Sequence, residues 1–580
     1  MSRYNRFPSV SVGTGHLVWK GQAAWRQLEQ TALLSGRSAP IVVDTYPGVD
    51  LNALQAQIAG ALPGWQVIDV EKRAAIPSAE LEAMVSTYLT NDRVFGILSP
   101  FNLTSFYDPL KLEEIARAMS SGARTVLVGW GASLVPVEDR VLVLADLARW
   151  EIQQRYRAGM PNWNALNDDD DILRKFKRGY FVEWRIADRH KRGMFDAIDY
   201  LLDTNHSAED AKLITSSTFR EGLRKATTEP FRVVPFFDPG VWGGQWMKNV
   251  CGLDEAPNYA WCFDCVPEEN SLLLAVSGET IELPSIDLVF LQPRELLGEL
   301  TYARFGAEFP IRFDFLDTMG GGNLSLQVHP LTDYIQNEFG MRYTQDESYY
   351  LLDAADDAVV YLGLKTGREP QEMIDALETA SSGGESFDAE AYVNVFPAKK
   401  HDHFLIPAGT VHCSGANSMV LEISATPYIF TFKMWDWDRL GLDGRPRPIH
   451  LQHAKENIQW DRDTEWTKAN LVDQVRELDR GDGWVEETTG LHEFEFIEVR
   501  RHWFTETVQH DTHGTVNVLN LVEGVEAIVE SPTGAFEPFV VHYAETFIVP
   551  AQVGQYTLRP LTPGGEPLAT VKAFVRGTER

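Results

Sequence analysis

The stretch NLSLQVHP occupies residues 323–330. Polar and apolar side chains alternate through it, the period of a half-buried strand. Gln327 and His329 stand two positions apart, so a strand turns both to one face. Pro330 then withholds a backbone donor and ends the ladder. A lone histidine on a strand is most often a satisfied polar residue, but two further runs give this one company. QDESYYLL (345–352) carries Glu347 into a strand, and IPAGTVHCSGAN (406–417) sets His412 after a Pro-Ala-Gly turn. One amide oxygen, two imidazoles and a carboxylate make a four-ligand set. It suits a divalent first-row metal, zinc first, with a position open for water or substrate.

Around these runs lies a chain of 580 residues with 44% hydrophobic content, enough for several globular units that each bury a core. Asp and Glu number 83 against 52 Lys and Arg, a net charge of -31. That field disfavours nucleic acid and anionic membrane surfaces as partners. The 4 cysteines, Cys251, Cys262, Cys265 and Cys413, are too few for a disulfide framework. Cys262 and Cys265 form a C-x-x-C without further ligands nearby, and all four read as reduced core residues. With no signal-like apolar core at the start and no run of roughly 18 apolar residues, a cytoplasmic protein is expected.

The first ~225 residues read as α/β. APIVVDTYPG (39–48), DRVFGILSP (92–100) and ARTVLVGWGAS (123–133) have the texture of strands, with helical DLNALQAQIAGAL and LKLEEIARAMSSG between them. Residues 140–225 read as a long, charged helical section. In it NDDDD (167–171) caps a helix, and Arg185, Arg189, His190, Lys191 and Arg192 form a solvated helix face. From residue 231 strand-like runs dominate, among them SLLLAVSG, IDLVFLQP and SYYLLDA, interrupted by helical EPQEMIDALETASSG. The last ~90 residues read as all-β. The expected organisation is an α/β domain at 1–228, a metal-binding β domain with helical insertions at 229–460, and a second β domain at 461–580.

PAGTVHCSGAN (407–417) resembles the second metal motif of the cupin superfamily. The Gln-x-His of residues 327–329, standing where most cupins have His-x-His, resembles the class I (zinc-dependent) mannose-6-phosphate isomerases. FFDPGVWGGQWMKNVCGL (236–253), FPIRFDFLDTMGGGNLSLQVHP (309–330), HFLIPAGTVHCSGANSMVLEIS (403–424) and TFKMWDWDRLGLDGRPRPIHL (431–451) extend the likeness over most of residues 231–580. The resemblance implies tandem cupin-type β-barrels (jelly rolls), the second without metal. It implies one Zn2+ per chain on Gln327, His329, Glu347 and His412. It further implies aldose–ketose isomerisation of a sugar phosphate of the mannose-6-phosphate/fructose-6-phosphate type through a cis-enediolate, with the metal stabilising charge on oxygen.

Two departures fall beside that site. The family's arginine over the pocket is Lys433, which keeps the charge and loses the planar fork. The family's lysine two residues before the ligand glutamate is Gln345, which does not titrate. Lys433 and Glu422 are the expected catalytic groups, and Gln345 and Arg439 the expected substrate-binding ones. The alternative is a non-catalytic, metal-containing carbohydrate-binding or regulatory protein, or an isomerase for another sugar. The first region is similar in order to P-loop nucleoside kinases and phosphoribulokinase, yet no G-x-x-x-x-G-K-[ST] occurs in the chain. A scaffold, a homo-oligomer surface or a ligand sensor is then its expected role.

Overall fold

The computed structural model describes residues 3–34, 39–119, 124–425, 430–442, 444, 447–490, 492, 494–562 and 564–577. The chain divides into two compact units. One comprises Ser9–Lys225 with Ser271–Leu291, and the other Met1–Pro8, Ala226–Asn270 and Gln292–Arg580. Both are discontinuous in sequence. The segment Ser271–Leu291, which the local pattern groups with the later β-rich region, lies in the N-terminal unit.

The N-terminal unit is built on a seven-stranded sheet. Its strands are β1 (Trp19–Lys20), β2 (Ile41–Thr45), β3 (Gln66–Asp69), β4 (Thr125–Gly129), β5 (Val141–Asp146), β6 (Tyr200–Asp203) and β7 (Lys212–Thr215). Their order is β1-β7-β6-β5-β2-β4-β3. β3, β4, β2, β5 and β6 run parallel, while β7 and β1 run antiparallel at one edge. The central strands IVVDT, TVLVG and VLVLAD are buried at every position, as parallel strands covered on both faces must be. Asp50 caps the helix Leu51–Ala61 by accepting from the Ala53 amide, and Asp108 caps Pro109–Ala118, whose first residue is the favoured proline.

Four expectations fail in this unit. DRVFGILSP is not a strand; its amides go instead to a helix end and a helical turn, Ile97 to Tyr88 O and Ser99 to Phe181 O. The section 140–225 is not continuously helical but holds β5, β6 and β7. IDLVFLQP forms the helix Ile286–Leu291, since a short apolar run does not distinguish a buried helix from a buried strand. Lys191, read as part of a solvated face, is 2% exposed and lies 2.9 Å from Asp146 Oδ2 and 2.7 Å from Asp287 Oδ1. Two buried carboxylates demand a buried cation. The acidic run does cap its helix, with Asp171 accepting from the Leu173 amide.

The other unit is β-rich and holds two pairs of sheets. The first pair uses β8 (Phe236–Asp238), β9 (Trp261–Cys265), β10 (Arg312–Asp317), β11 (Leu326–Val328), β12 (Asp346–Ala354), β13 (Val359–Leu364), β14 (Val393–Pro397), β15 (His403–Ile406), β16 (His412–Ser414), β17 (Ser418–Ala425) and β18 (Phe432–Trp435). One sheet has the order β15-β12-β17-β10-β9-β8, the other β14-β13-β16-β11-β18. The second pair uses β19 (Arg476–Gly481), β20 (Trp484–Gly490), β21 (Ile497–Phe504), β22 (Val508–Asp511), β23 (Asn517–Glu523), β24 (Glu526–Glu530), β25 (Phe539–His542), β26 (Thr546–Val549), β27 (Gln555–Pro560) and β28 (Leu568–Val575). Its sheets are β19-β20-β21-β28-β23-β26 and β22-β27-β24-β25. They share one apolar core, with Phe504, Leu521 and Phe547 from the first and Val508, Val529 and Leu558 from the second. All four cysteines are free and buried. Among the described residues no helix is long and apolar enough to cross a membrane.

Candidate metal centre

β11 is only three residues long and lies between β16 and β18, with a register shift between Leu326 and Gln327 in its pairing to β18. Gln327 stands opposite His412 on one side and Lys433 on the other. Residues directly opposite on antiparallel strands point to one face, so all three enter the same space. His329 follows β11 by one residue and returns to that face. Glu347 reaches the space from β12, on the six-stranded sheet. The turn that delivers His412 is held at several points. The Gly409 amide donates to His329 O at 3.0 Å, the Ala408 amide to Asp346 Oδ1 at 2.8 Å, and Arg462 Nη1 to the carbonyls of Pro407 and Ala408 at 2.9 and 2.7 Å.

His329, Glu347 and His412 are buried, and one donor atom from each lies within 4.8 Å of the others. His329 Nε2 is 3.0 Å from Glu347 Oε2, and His412 Nε2 is 2.9 Å from Glu347 Oε1. Yet His329 Nε2 and Glu347 Oε1 form no hydrogen bond. The far nitrogens are committed: His329 Nδ1 is 2.8 Å from Phe430 O, and His412 Nδ1 is 2.8 Å from Thr410 O. A carbonyl accepts only from N–H, which fixes both Nδ1 atoms as donors and leaves Nε2 lone pairs facing the centre when the rings are neutral. Gln327 Nε2 lies 3.2 Å from His412 Nε2, and a 180° turn of the amide presents its oxygen instead. Burial pushes the Glu347 carboxyl up, but the two histidines outweigh it and hold it well below the usual range. Burial lowers His329, and the adjacent Glu347 outweighs that and raises it. Two imidazole nitrogens, a carboxylate and an amide that can turn its oxygen inward are a donor set that fits zinc.

Comparison with known proteins finds relatives over part of the chain. A probable mannose-6-phosphate isomerase, GmuF, of Bacillus subtilis (strain 168) is 27% identical over 236 residues, 40% of this chain and 69% of that protein. Mannose-6-phosphate isomerase ManA of the same organism is 27% identical over 233 residues, again 40% and 69%. The chain is a relative of the mannose-6-phosphate isomerases. Its facing six- and five-stranded sheets fit a cupin-like part. A crystal structure of mannose 6-phosphate isomerase from Bacillus subtilis aligns with TM-score 0.48 at 19% identity, covering 59% of this chain and 99% of that one. Residues 22–228 match a family described as a domain of unknown function (DUF8485).

Around His329, Glu347 and His412, the remaining sequence candidates take distinct positions. Gln345 is 3% exposed and both ends of its amide are used. Nε2 donates to Glu347 Oε2 at 2.9 Å, and Oε1 accepts from the Phe430 amide at 3.0 Å. It therefore braces Glu347 and Phe430, the residue whose carbonyl orients His329. Lys433 is half-buried opposite Gln327. Arg439 donates to Asp436 Oδ1 at 2.6 Å, with Arg447 2.7 Å from the other oxygen and Ser325 Oγ 2.9 Å from the first. Glu422 stands between Tyr349 and Asp314 on neighbouring strands. Burial, then Glu347 and Asp314, raise its pKa well above the carboxylate range.

Local motifs do not reveal Arg312 and Asp314, which alternate with buried phenylalanines on β10 and face Ser424 and Glu422. Their side chains pair at 3.1 Å, and burial pushes Asp314 up to about 7 against the pull of Arg312. The pattern R-F-D-F, charged at every second position of an apolar strand, is the signal that could have found them. Arg462 leaves no such signal, because it lies 55 and 54 positions downstream of the Pro407 and Ala408 carbonyls it holds.

Proposed function

We propose that this chain is a metal-dependent aldose–ketose isomerase acting on a sugar phosphate of the mannose-6-phosphate/fructose-6-phosphate type. The observation that carries the reading is the convergence of His329 Nε2, His412 Nε2 and the Glu347 carboxylate in a buried site, with both Nδ1 atoms committed elsewhere. Gln327 completes the proposed set for one Zn2+ per chain. Zinc held there would supply positive charge that stabilises negative charge developing on substrate oxygen.

The chain's own groups supply the rest. A proton passes between C1 and C2 through a cis-enediolate, and the transferring group must reach both carbons within hydrogen-bond distance. Glu422 and Lys433 are the proposed groups, since each lies on a wall of the same space. Lys433 and Arg439 supply positive charge for an anionic substrate, and Gln345 serves the substrate side by fixing Glu347. The 461–580 region is proposed as a second cupin-like barrel without metal, and 1–228 as a kinase-like fold that has lost its phosphate loop.

Metal analysis with an assay over aldoses, ketoses and their phosphates tests the reading. Zinc near one per chain is expected, lost in His329→Ala and His412→Ala together with isomerisation. A chain that takes up no metal when zinc is supplied sinks the site. A zinc-loaded chain that converts no sugar in the panel leaves the carbohydrate-binding alternative in its place.

A further inference from the structure

The parallel sheet of the N-terminal unit reverses its strand order once. From β2 the chain runs to β3 at the edge and back to β4 beside β2, then crosses to β5 on the other side and on to β6. The reversal lies between β2 and β5. Connections that leave the carboxyl ends of the strands part in opposite directions at such a point, and a crevice opens between them. A cleft of about 650 Å³ lies there. The segment after β2 lines it with Val49 and Asp50, the helix Arg149–Arg157 after β5 with Glu151 and Arg155, and the loop after β6 with residues 204–208. The volume falls within the range of small-molecule sites, about 300–1,000 Å³.

One side chain ties the walls together. Arg155 Nη1 donates to Gly48 O at 2.9 Å, Nη2 to Thr204 O at 2.6 Å, and Nε to Glu151 Oε1 at 2.8 Å. The other side-chain donors of the walls are spent as well. Thr204 Oγ1 donates to Asp146 O at 2.8 Å, Asn205 Nδ2 to Asp203 Oδ1 and to Glu282 O at 2.9 Å each, and Ser207 Oγ to Asp210 Oδ2 at 2.7 Å. His206 Nε2 lies 3.7 Å from Glu282 Oε2. The carboxylates are in the opposite position. Asp50 Oδ1 accepts from the Ala53 amide at 3.0 Å and Glu151 Oε1 from Arg155, which leaves the second oxygen of each with room for a donor. Both acids stand at helix amino ends, Asp50 as the cap of Leu51–Ala61 and Glu151 in the first turn of Arg149–Arg157. The place that a helix end offers to an anion is therefore filled from within. Val49, Ala53, Leu54 and Met160 give the cleft an apolar side.

We propose that this cleft is a small-molecule site, and that its ligand is a small organic cation, a protonated amine on an apolar frame. Such a ligand brings the donors that the walls have spent and the charge that two carboxylates to one guanidinium call for. An ammonium group donates charge-assisted bonds to both carboxylates, while its frame covers the apolar side. The chain's net charge of -31 adds a long-range attraction for cations. Every wall belongs to the N-terminal unit, so the site stands independently of the metal centre.

Three probes that share one ring and differ in charge test it. Benzylamine, benzyl alcohol and benzoate are titrated into the full-length chain and followed by ligand-detected NMR. Benzylamine is expected to bind about tenfold more tightly than either of the others, and equally well to His412→Ala, which removes the metal site. Asp50→Asn keeps the helix cap and removes the charge, and benzylamine should bind it about tenfold more weakly. Ala158→Trp, at an exposed position on the rim, should weaken binding by filling the cleft. The proposal is overturned if benzylamine binds no more tightly than benzyl alcohol, if benzoate binds in its place, or if binding is unchanged in either of those two variants. Wild-type crystals soaked in benzylamine give a reading that needs no variant. The amine between Asp50 and Glu151 supports the site, and an empty cleft at saturation rejects it.

Discussion

At the scale of single residues, the candidate metal centre depends on groups outside the proposed ligand set. The imidazoles present Nε2 because Phe430 O and Thr410 O hold their Nδ1 atoms, and Glu347 is aimed by the Gln345 amide. Such partners commonly govern metal affinity by 10–100-fold. Gln345→Leu keeps the volume and removes both hydrogen bonds. Zinc affinity, measured by competition with a chromophoric chelator, is expected to fall within about that 10–100-fold range. Equal affinity in wild type and variant would mean that Gln345 does not position the ligand. The four proposed ligands were legible in the sequence because each sits in a short run with a clear period or turn. The bracing role of Gln345 was not, since the partner amide of Phe430 is 85 positions away.

At the scale of elements, strand register brings the ligands together. One pairing sets Gln327 opposite His412 and another sets it opposite Lys433; a slip of one residue would turn Gln327 to the other face. The turn before β16 is equally constrained. Gly409 has φ +84°, and a Cβ there would lie 2.9 Å from Asn457 O and 2.7 Å from Gln459 Cγ. Gly409→Ala is therefore expected to cost about 1–3 kcal/mol in stability and to weaken zinc binding along with it, because His412 follows by three residues. Thermal unfolding with and without zinc reads both effects. A variant with unchanged midpoint and zinc shift would show that the turn has room to adapt. Element type was legible where period or capping was strong, as in the helices begun by Asp50 and Asp108. It failed at IDLVFLQP and DRVFGILSP, short apolar runs whose backbone partners lie elsewhere in the chain.

At the scale of the whole molecule, the β-rich unit buries neutral histidines. His403 is 1% exposed beside Tyr350, and burial lowers its pKa to about 3, with Arg501 adding to the effect. His502 and His510 are lowered in the same way. An unfolded histidine titrates near 6.5, so below that pH the unfolded chain binds protons that the folded one refuses. Stability is full above about pH 6.5 and falls as the pH drops toward 3, by about 1.4 kcal/mol per pH unit for each fully buried histidine. Unfolding by denaturant at pH 7.5, 6 and 5 should show this slope, and His403→Phe should reduce it by that one-histidine amount. Parallel slopes in wild type and variant would remove His403 from the account.

The sequence by itself determined the donor chemistry of the candidate centre, the β-rich character of the later region and the α/β character of the first. Those features depend on neighbours within a few positions, where period, turn residues and ligand type are written locally. Only the tertiary structure decided the rest. It placed Ser271–Leu291 in the N-terminal unit, buried Lys191 between Asp146 and Asp287, and set Asp314 across from Glu422. Each of these is a meeting of residues tens to hundreds of positions apart. What drives such a meeting is burial, which forces every charge and polar atom it encloses to find a partner, and no local pattern names that partner in advance.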